Sequence, residues 1–388
     1  MGLACLNHVG PTAQSQTNKP RVRLSFSLYW VSGTRDPTVA PHHAAVVFNP
    51  AKADVEALRS ALAFEETRAG WARSLWFETS AADDGHAAAV AAINARPDLI
   101  LVAGGDGTLR TVAEAMVDTG IPLSLLPTGT GNLFARELRL PLNDLRAAVA
   151  TALTGKDRPI DVGMVVLERE DGTHDRRAFL VMAGIGVDAH MAAHTNEQLK
   201  KRIGWLAYSD PIARSVFGNR QFDMSYRLDD GPEVATRAHT VIVGNAGSLP
   251  AGLLLLPAAV VDDGLLDAVV FRPGRGSGWT NIGYRLTFNR MLHRTGFGRL
   301  VAAVTPKPRA IQWAQATTMD VRFSAPQEIQ LDGDPHGAVV GATLAVHHHG
   351  LSIRVDDVGT GPVRASRRAR KRRPEAKTLA LDTRAFGD

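Results

Sequence analysis

A single cysteine, Cys5, among 388 residues leaves no internal disulfide to form and no cysteine-rich zinc site to build. That scarcity suits a reducing compartment, with the cytoplasm as the default expectation. Membrane-spanning runs are missing too. Residues 24–31 (LSFSLYWV) are apolar, but they fall far short of the ~20 residues a span needs and lack the flanks of a secretory signal. No internal repeat is visible. Neither Gly-x4-Gly-Lys-Ser/Thr nor Gly-x-Gly-x-x-Gly can be laid over the glycine-rich loops described below, which excludes the two commonest phosphate-binding fingerprints. Net charge is only +5, and residues 364–373 (RASRRARKRR) alone carry seven Arg and Lys, which leaves the remainder at about −2. The basic character belongs to a tail and not to the domains.

What is present is an ordinary globular balance, 45% hydrophobic and 21% charged, in a chain long enough for two cores. Residues 1–41 lack sustained periodicity and read as a disordered extension, in which 24–31 could form a stray strand. From 44–48 onward, bare apolar strands alternate with helical patterns. Strands are expected at 44–48, 75–77, 98–103 and 121–126, and helices at 53–64, 86–95, 109–117 and 142–154. Strands without alternation, each followed by a helix, indicate a parallel sheet covered on both faces, here a doubly wound nucleotide-binding domain over 42–157.

The texture changes near residue 158. Short strands are expected at 222–228, 239–243, 265–271, 319–323, 328–331, 343–347 and 351–355, interrupted by helices at 196–217 and 279–292. These predict a β-sandwich-like second domain over 158–340, strands over 341–358 that return to the first domain, and a disordered basic tail over 359–388. The fold class is thus α/β, with an active site in the cleft between the two domains.

Gly104-Gly105-Asp106-Gly107-Thr108 directly follows an apolar strand and precedes the helix expected to open at Leu109. Glycines there allow close backbone approach to an anion, and the N–H groups of the first helical turn point at it. Asp106 would repel a bare phosphate, so a divalent cation, a hydroxyl donor or a basic side chain belongs beside it. Taken alone, the segment also suits a simple capped turn. A second loop, Pro127-Thr128-Gly129-Thr130-Gly131-Asn132, likewise leaves a strand and enters a helical stretch at 133–138. In a parallel sheet both loops emerge at the carboxyl edge, where open α/β folds bind ligands.

Here the sequence resembles the diacylglycerol kinase catalytic family, which includes sphingosine, ceramide and bacterial lipid kinases. The resemblance runs over about residues 43–356 through Asn49-Pro50-Ala51-Lys52, Gly104–Thr108, the 127–136 segment (PTGTGNLFAR), 160–163, 179–188, 243–270 and Leu331-Asp332-Gly333-Asp334. The 127–136 segment and Asp262-Asp263-Gly264-Leu265-Leu266-Asp267 are its most specific parts. It implies a lipid kinase that transfers phosphate from ATP, with Asn49, Lys52, Gly104, Gly105, Asp106, Gly107, Thr108, Thr128, Gly129, Thr130, Gly131 and Asn132 around the nucleotide. Asp106 would organise Mg2+-ATP, and Asp332 would accept the lipid hydroxyl proton. Asp334 stands where Glu is commoner. Asp263 and Leu265 match a second-domain Mg2+ site, although Asp262-Asp263-Gly264 also reads as a plain turn between 253–261 and 265–271. One departure is Arg110-Thr111, where many members carry Asn-Glu.

Other features have competing readings. Residues 249–257 (LPAGLLLLP) suit a buried core segment or a lipid-facing surface. His347-His348-His349 reads as a solvated strand end, because consecutive strand residues alternate faces and at most two could share an ion. The run 364–373 suits an anionic membrane surface, would attract nucleic acid equally well, and otherwise reads as a solvated tail with no partner. The expected partners are a lipid substrate at a membrane surface visited transiently, and a homodimer by default; no nucleic-acid partner is expected. The acceptor could equally be a sphingoid base, a glycolipid or a soluble alcohol. A catalytically silent nucleotide or lipid sensor is the reading from another class.

Overall fold

In a computed structural model of the chain, the residues described are 41–186, 221–247, 255–272 and 311–356. The expectations for 1–40, for helices at 196–217 and 279–292, for 249–254 and for the tail from 359 lie outside them. Strand β1 (Ala44–Phe48) is wholly buried and is followed by helix α1 (Val55–Ala69). The helix starts where Asp54 accepts the amide of Ala57 and stops at Gly70, whose φ of 70° suits the left-handed cap. Then come β2 (Leu75–Glu78), α2 (His86–Asn94), β3 (Leu99–Gly104), α3 (Asp106–Met116), β4 (Leu123–Pro127), α4 (Leu133–Glu137) and α5 (Leu145–Thr154). The four strands pair in parallel in the order β2-β1-β3-β4.

Alternate strand residues feed two cores, which explains the unbroken apolar runs. Ala44, Val46, Leu99 and Leu101 pack with Leu58 and Leu62 of α1 and Val149 of α5 on one face. Ala45, Val47, Ile100 and Val102 pack with Ala89 of α2 and Leu109 and Val112 of α3 on the other. The chain leaves β1 toward β2 on one side and returns to β3 on the other. The switch point therefore lies between the carboxyl ends of β1 and β3, where this class of sheet opens a ligand crevice.

Several boundaries differ from expectation; α1, for example, runs to Ala69 and not to 64, and the starts of two other helices move. Helix α3 opens at Asp106 and not at Leu109, because Gly105 takes the N-cap, so Asp106, Gly107 and Thr108 form the first helical turn. Helix α5 opens at Leu145 and not at 142, capped by the Asp144 side chain on the amide of Ala147.

The second lobe is antiparallel. Its strands are β5 (Lys156–Glu168), β6 (His174–Phe179), β7 (Met182–Ile185), β8 (Phe222–Leu228), β9 (Val234–Ala238), β10 (Thr240–Gly244), β11 (Leu266–Phe271), β12 (Ile311–Ala316), β13 (Thr318–Leu331) and β14 (Asp334–Val355). Those on the main path run β12-β11-β10-β7-β13-β14, with β5 and β6 attached at β14 and β8 and β9 at β13. Together they form the β-sandwich-like second domain, with a core that includes Phe179, Ile185, Met224, Val243, Val270, Val321, Leu331 and Leu344. The expected strands 319–323 and 328–331 are one strand, as are 343–347 and 351–355. Bulges between Arg322 and Gln327 and between His347 and Leu351 break the two-residue period within each.

β5 pairs along nearly its whole length with residues 341–355 of β14, and the two pass from one lobe into the other. Residues 351–355 of β14 pair with 156–160 of β5, and Ile353 lies beside Leu123 of β4 in the first-lobe sheet. No helix among the described residues is long and apolar enough to cross a membrane.

Candidate active site

Asn49 closes β1. Its amide donates to the Ala103 carbonyl, its side-chain oxygen accepts the amide of Ala51, and its carbonyl accepts the amides of Lys52 and Ala53. This tight turn lays Lys52 over the neighbouring loop, where a methyl added to Gly105 would stand 3.2 Å from Lys52 Nζ. The two glycine loops touch. A methyl on Gly129 would lie 2.7 Å from Gly105 Cα, and the Thr128 amide donates to the Gly104 carbonyl at 3.2 Å. At 129 only glycine permits that approach, whereas a methyl on Gly105 would meet Gly129 Cα at an ordinary 3.7 Å.

Asp106 joins the loops chemically. Its Oδ1 accepts the Leu133 amide at 2.7 Å, and a methyl on Gly131 would lie 2.6 Å from its Oδ2. Asn132 sits at φ 47° and donates from Nδ2 to the Gly129 carbonyl at 2.7 Å. Burial lifts the Asp106 carboxyl above its ordinary range, the amides around Leu133 pull it back, and the negative charge of Asp334 pushes it up again. Thr130 is exposed at the rim, whereas the Thr128 hydroxyl is buried with no hydrogen-bond partner among the described residues. Beside Lys52 and Thr128 opens a cleft of about 280 Å³, bounded also by Asp54, Leu58 and residues 141–145. Its size suits part of a ligand, such as one ring system.

The second lobe supplies a hairpin. β13 and β14 join through Asp332 and Gly333, with φ 52° and 95°, the pattern of a two-residue primed turn. Asp332 is 7% exposed, and its carboxylate accepts three amides: Val181 and Met182 on Oδ1 at 2.8 and 2.9 Å, and Leu180 on Oδ2 at 2.8 Å. Burial nonetheless outweighs these donors and pushes its pKa up to about 6. Asp334 is more open, and its Oδ2 would lie 2.7 Å from a methyl on Gly107. The hairpin thus stands directly over the first turn of α3.

Arg110 spans that gap. It is buried, with Nη2 3.4 Å from Asp334, Nη1 3.8 Å from Glu114, and Nε without a hydrogen-bond partner among the described residues. Its role and that of residues 141–145 were not apparent from the sequence. In the sequence Arg110 shows only as a replacement of a usual Asn, and residues 142–144 fall within a stretch expected to be helical.

The Asp263 region folds as the turn reading described. Oδ1 of Asp263 accepts the Leu265 amide at 3.1 Å, and the Gly264 amide turns to Asp161 Oδ2 at 2.6 Å. The segment before it, at 255–261, is a loop and not a strand. Leu255 and Leu256 are buried against Val269 and Phe271, so this described part of the leucine run is core. The three histidines depart from strict alternation. His348 and His349 stack on each other at 3.7 Å, while His347 Nε2 lies 2.7 Å from Asp118 Oδ1.

Comparison with known proteins fits this architecture. Residues 43–165 match the diacylglycerol kinase catalytic domain, and residues 181–353 match the YegS C-terminal NAD kinase beta sandwich-like domain. A diacylglycerol kinase of Bacillus subtilis is 26% identical over 73% of this chain and 86% of its own length. A probable lipid kinase YegS-like protein of Stenotrophomonas maltophilia is 30% identical over 63% of this chain and 74% of its own. The match to a probable lipid kinase YegS-like protein of Klebsiella pneumoniae spans only 58% of that relative. A solved putative diacylglycerol kinase from Bacillus anthracis shares the fold, with a TM-score of 0.63 at 19% identity over 84% of this chain and 99% of that one.

Proposed function

Since the chain belongs to the diacylglycerol kinase catalytic-domain family of phosphotransferases with an alcohol acceptor, we propose that it transfers the γ-phosphoryl group of Mg2+-ATP to a hydroxyl of diacylglycerol or a similar neutral lipid. The observation that carries this reading is the carboxylate hairpin of the second lobe standing over the paired glycine loops of the first.

Each part has a task. The amides of the first α3 turn lack intrahelical partners and face anions well, and Lys52 beside Gly105 adds a positive charge at the same place. The cleft along Lys52, Thr128 and residues 141–145 would take the nucleoside. Asp106 and Asp334 fit a hard divalent cation, because the charge of one already disturbs the carboxyl of the other and carboxylate oxygens are the ligands Mg2+ prefers. The cation would neutralise charge on the phosphates. Asp332, with a pKa of about 6, is mostly ionised at neutral pH and retains acceptor capacity beyond its three amides, which suits it to receive the hydroxyl proton. Phosphoryl transfer has a loose transition state, so alignment contributes more than early deprotonation. Docking at a membrane surface, aided by residues 364–373, would bring the lipid to the cleft.

The test is transfer of labelled γ-phosphate into organic-extractable product from mixed micelles of diacylglycerol, sphingoid base and glycolipid. Wild type should label diacylglycerol most strongly, and Asp334→Ala should lose most of that activity while keeping its fold. ATP binding with no labelled lipid would overturn the reading and favour a sensor.

A further inference from the structure

The residues that cross between lobes hold a second group of side chains with ligand chemistry. On β5, Val162 pairs with His347 and Ile160 pairs with Leu351, so Asp161 alone stands opposite three residues of β14. The surplus is taken up by a bulge in which His349 has φ 56° and any side chain at Gly350 would collide with the His347 ring. That backbone cancels the alternation of a strand. His348 and His349 come to the same side with rings 3.7 Å apart and 28° from parallel.

Both face one buried carboxylate. Asp161 has no exposed surface, yet its Oδ1 lies 2.7 Å from His348 Nδ1 and accepts the His349 amide at 2.9 Å, while Oδ2 accepts the Gly264 amide at 2.6 Å. One ligand atom from each of Asp161, His348 and His349 can be chosen within 4.8 Å of the others. Around a tetrahedral ion with bonds of about 2.0–2.1 Å, neighbouring donors are about 3.3 Å apart, so small rotations suffice. The absent side chain at Gly264 leaves His348 its room, since a methyl there would be 3.2 Å from Nδ1.

We infer that Asp161, His348 and His349 form a binding site for a borderline divalent metal of the Zn2+ class, at the point where β5 and β14 pass from one lobe to the other. Two imidazole nitrogens and one carboxylate oxygen are a Zn2+ donor set and a poor one for Mg2+, which separates this site from the all-oxygen expectation at Asp263 and Leu265. His348 is about half exposed, so solvent can fill the remaining position. The bound ion would tie the bulge, β5 and the 262–265 turn together across the interlobe crossing. This site does not depend on the kinase reading.

The test is calorimetric Zn2+ titration of the metal-free full chain, with Co2+ absorption as the geometric readout. One ion per chain should bind, with the intense visible bands of tetrahedral Co2+ and a raised Tm. His348→Ala and His349→Ala should each weaken Zn2+ binding tenfold or more and abolish those bands, whereas His347→Ala should change affinity less than twofold. Asp161→Asn should also weaken binding by about 10–100-fold. Equal losses for all three histidines, octahedral Co2+ spectra, or unchanged affinity in a folded Asp161→Asn chain would mean adventitious binding to a histidine tract and would overturn the site. If Asp161→Asn does not fold, the histidine variants and the Co2+ spectrum decide.

Discussion

Asp106 in the first lobe and Asp332 in the second both carry the chemistry proposed for the cleft, and both also hold backbone in place. Asp106 ties one glycine loop to the next through the Leu133 amide. Asp332 ties a hairpin turn to residues 180–182 through three amides, and it is buried more completely. The difference teaches how to read substitutions here. Loss of activity at either position mixes chemistry with architecture, and the mixture is heavier at Asp332. Asp334, which is more exposed and among the described residues is bonded only at long range to Arg110, is the cleaner probe.

The largest effect should come from breaking the first lobe's half. Gly129→Ala drives a methyl to 2.7 Å from the Gly105 backbone, so the loops must separate. Kinase activity should fall at least about 100-fold, as expected for misplacing a positioning loop, while circular dichroism stays near wild type. Next, Asp332→Ala should destabilise the protein more than Asp106→Ala in urea titrations. Each buried amide left without an acceptor costs roughly 1–3 kcal/mol: Asp332 would strand three short bonds at a buried site, whereas the partly exposed Asp106 holds one short bond to Leu133 and smaller contributions from the Asn132 and Phe134 amides. Equal losses would dissolve the distinction between the two carboxylates.

A subtler effect concerns pH. The folded pKa of Asp332 is raised to about 6, so the stability linked to it is fully present below about 3.8 and is lost as pH rises through 6. His336, four residues along, shows the opposite behaviour: burial, with Arg110 nearby, lowers its pKa to about 4. Its contribution is present above 6.5 and is lost as pH falls toward 4. The two trends oppose each other between pH 4 and 6. His336→Gln should therefore expose a decline in Tm with rising pH across that window, measured against the flatter wild-type curve. The smallest effect is at Arg110, whose positive charge helps to hold the Asp332 carboxyl down. Arg110→Ala should shift the acid limb of the pH–rate profile slightly upward, since burial and the three amides act on that carboxyl more strongly than the guanidinium does.

The first lobe was largely legible because each of its signals is local. Apolar runs at 44–48 and 99–103 end at glycine or asparagine turns, and those turns are the ligand edge of the sheet. The second lobe was legible in type but not in length. β13 and β14 were read as pairs of short strands because bulges interrupt the alternation within each, which looks like an ending when only the alternation is visible. The stacking of His348 on His349 was hidden for the same reason. The pairing of Arg110 with Asp334 had no local trace, since the partners are 224 residues apart and meet only when the lobes do.

The path of β14 also bears on how the molecule is made. Strand β4 has β3 on one side, and on the other its neighbour is the stretch around Ile353. A chain emerging from the ribosome therefore presents the helices and three interior pairings of the nucleotide lobe well before β14 is available. Until more than 220 further residues have been synthesised, Leu123 waits at an open edge of the kind that recruits foreign strands. Completion of the first lobe's sheet is thus deferred to β14, and the pairing that closes its β4 edge must wait for a strand that also builds the second lobe.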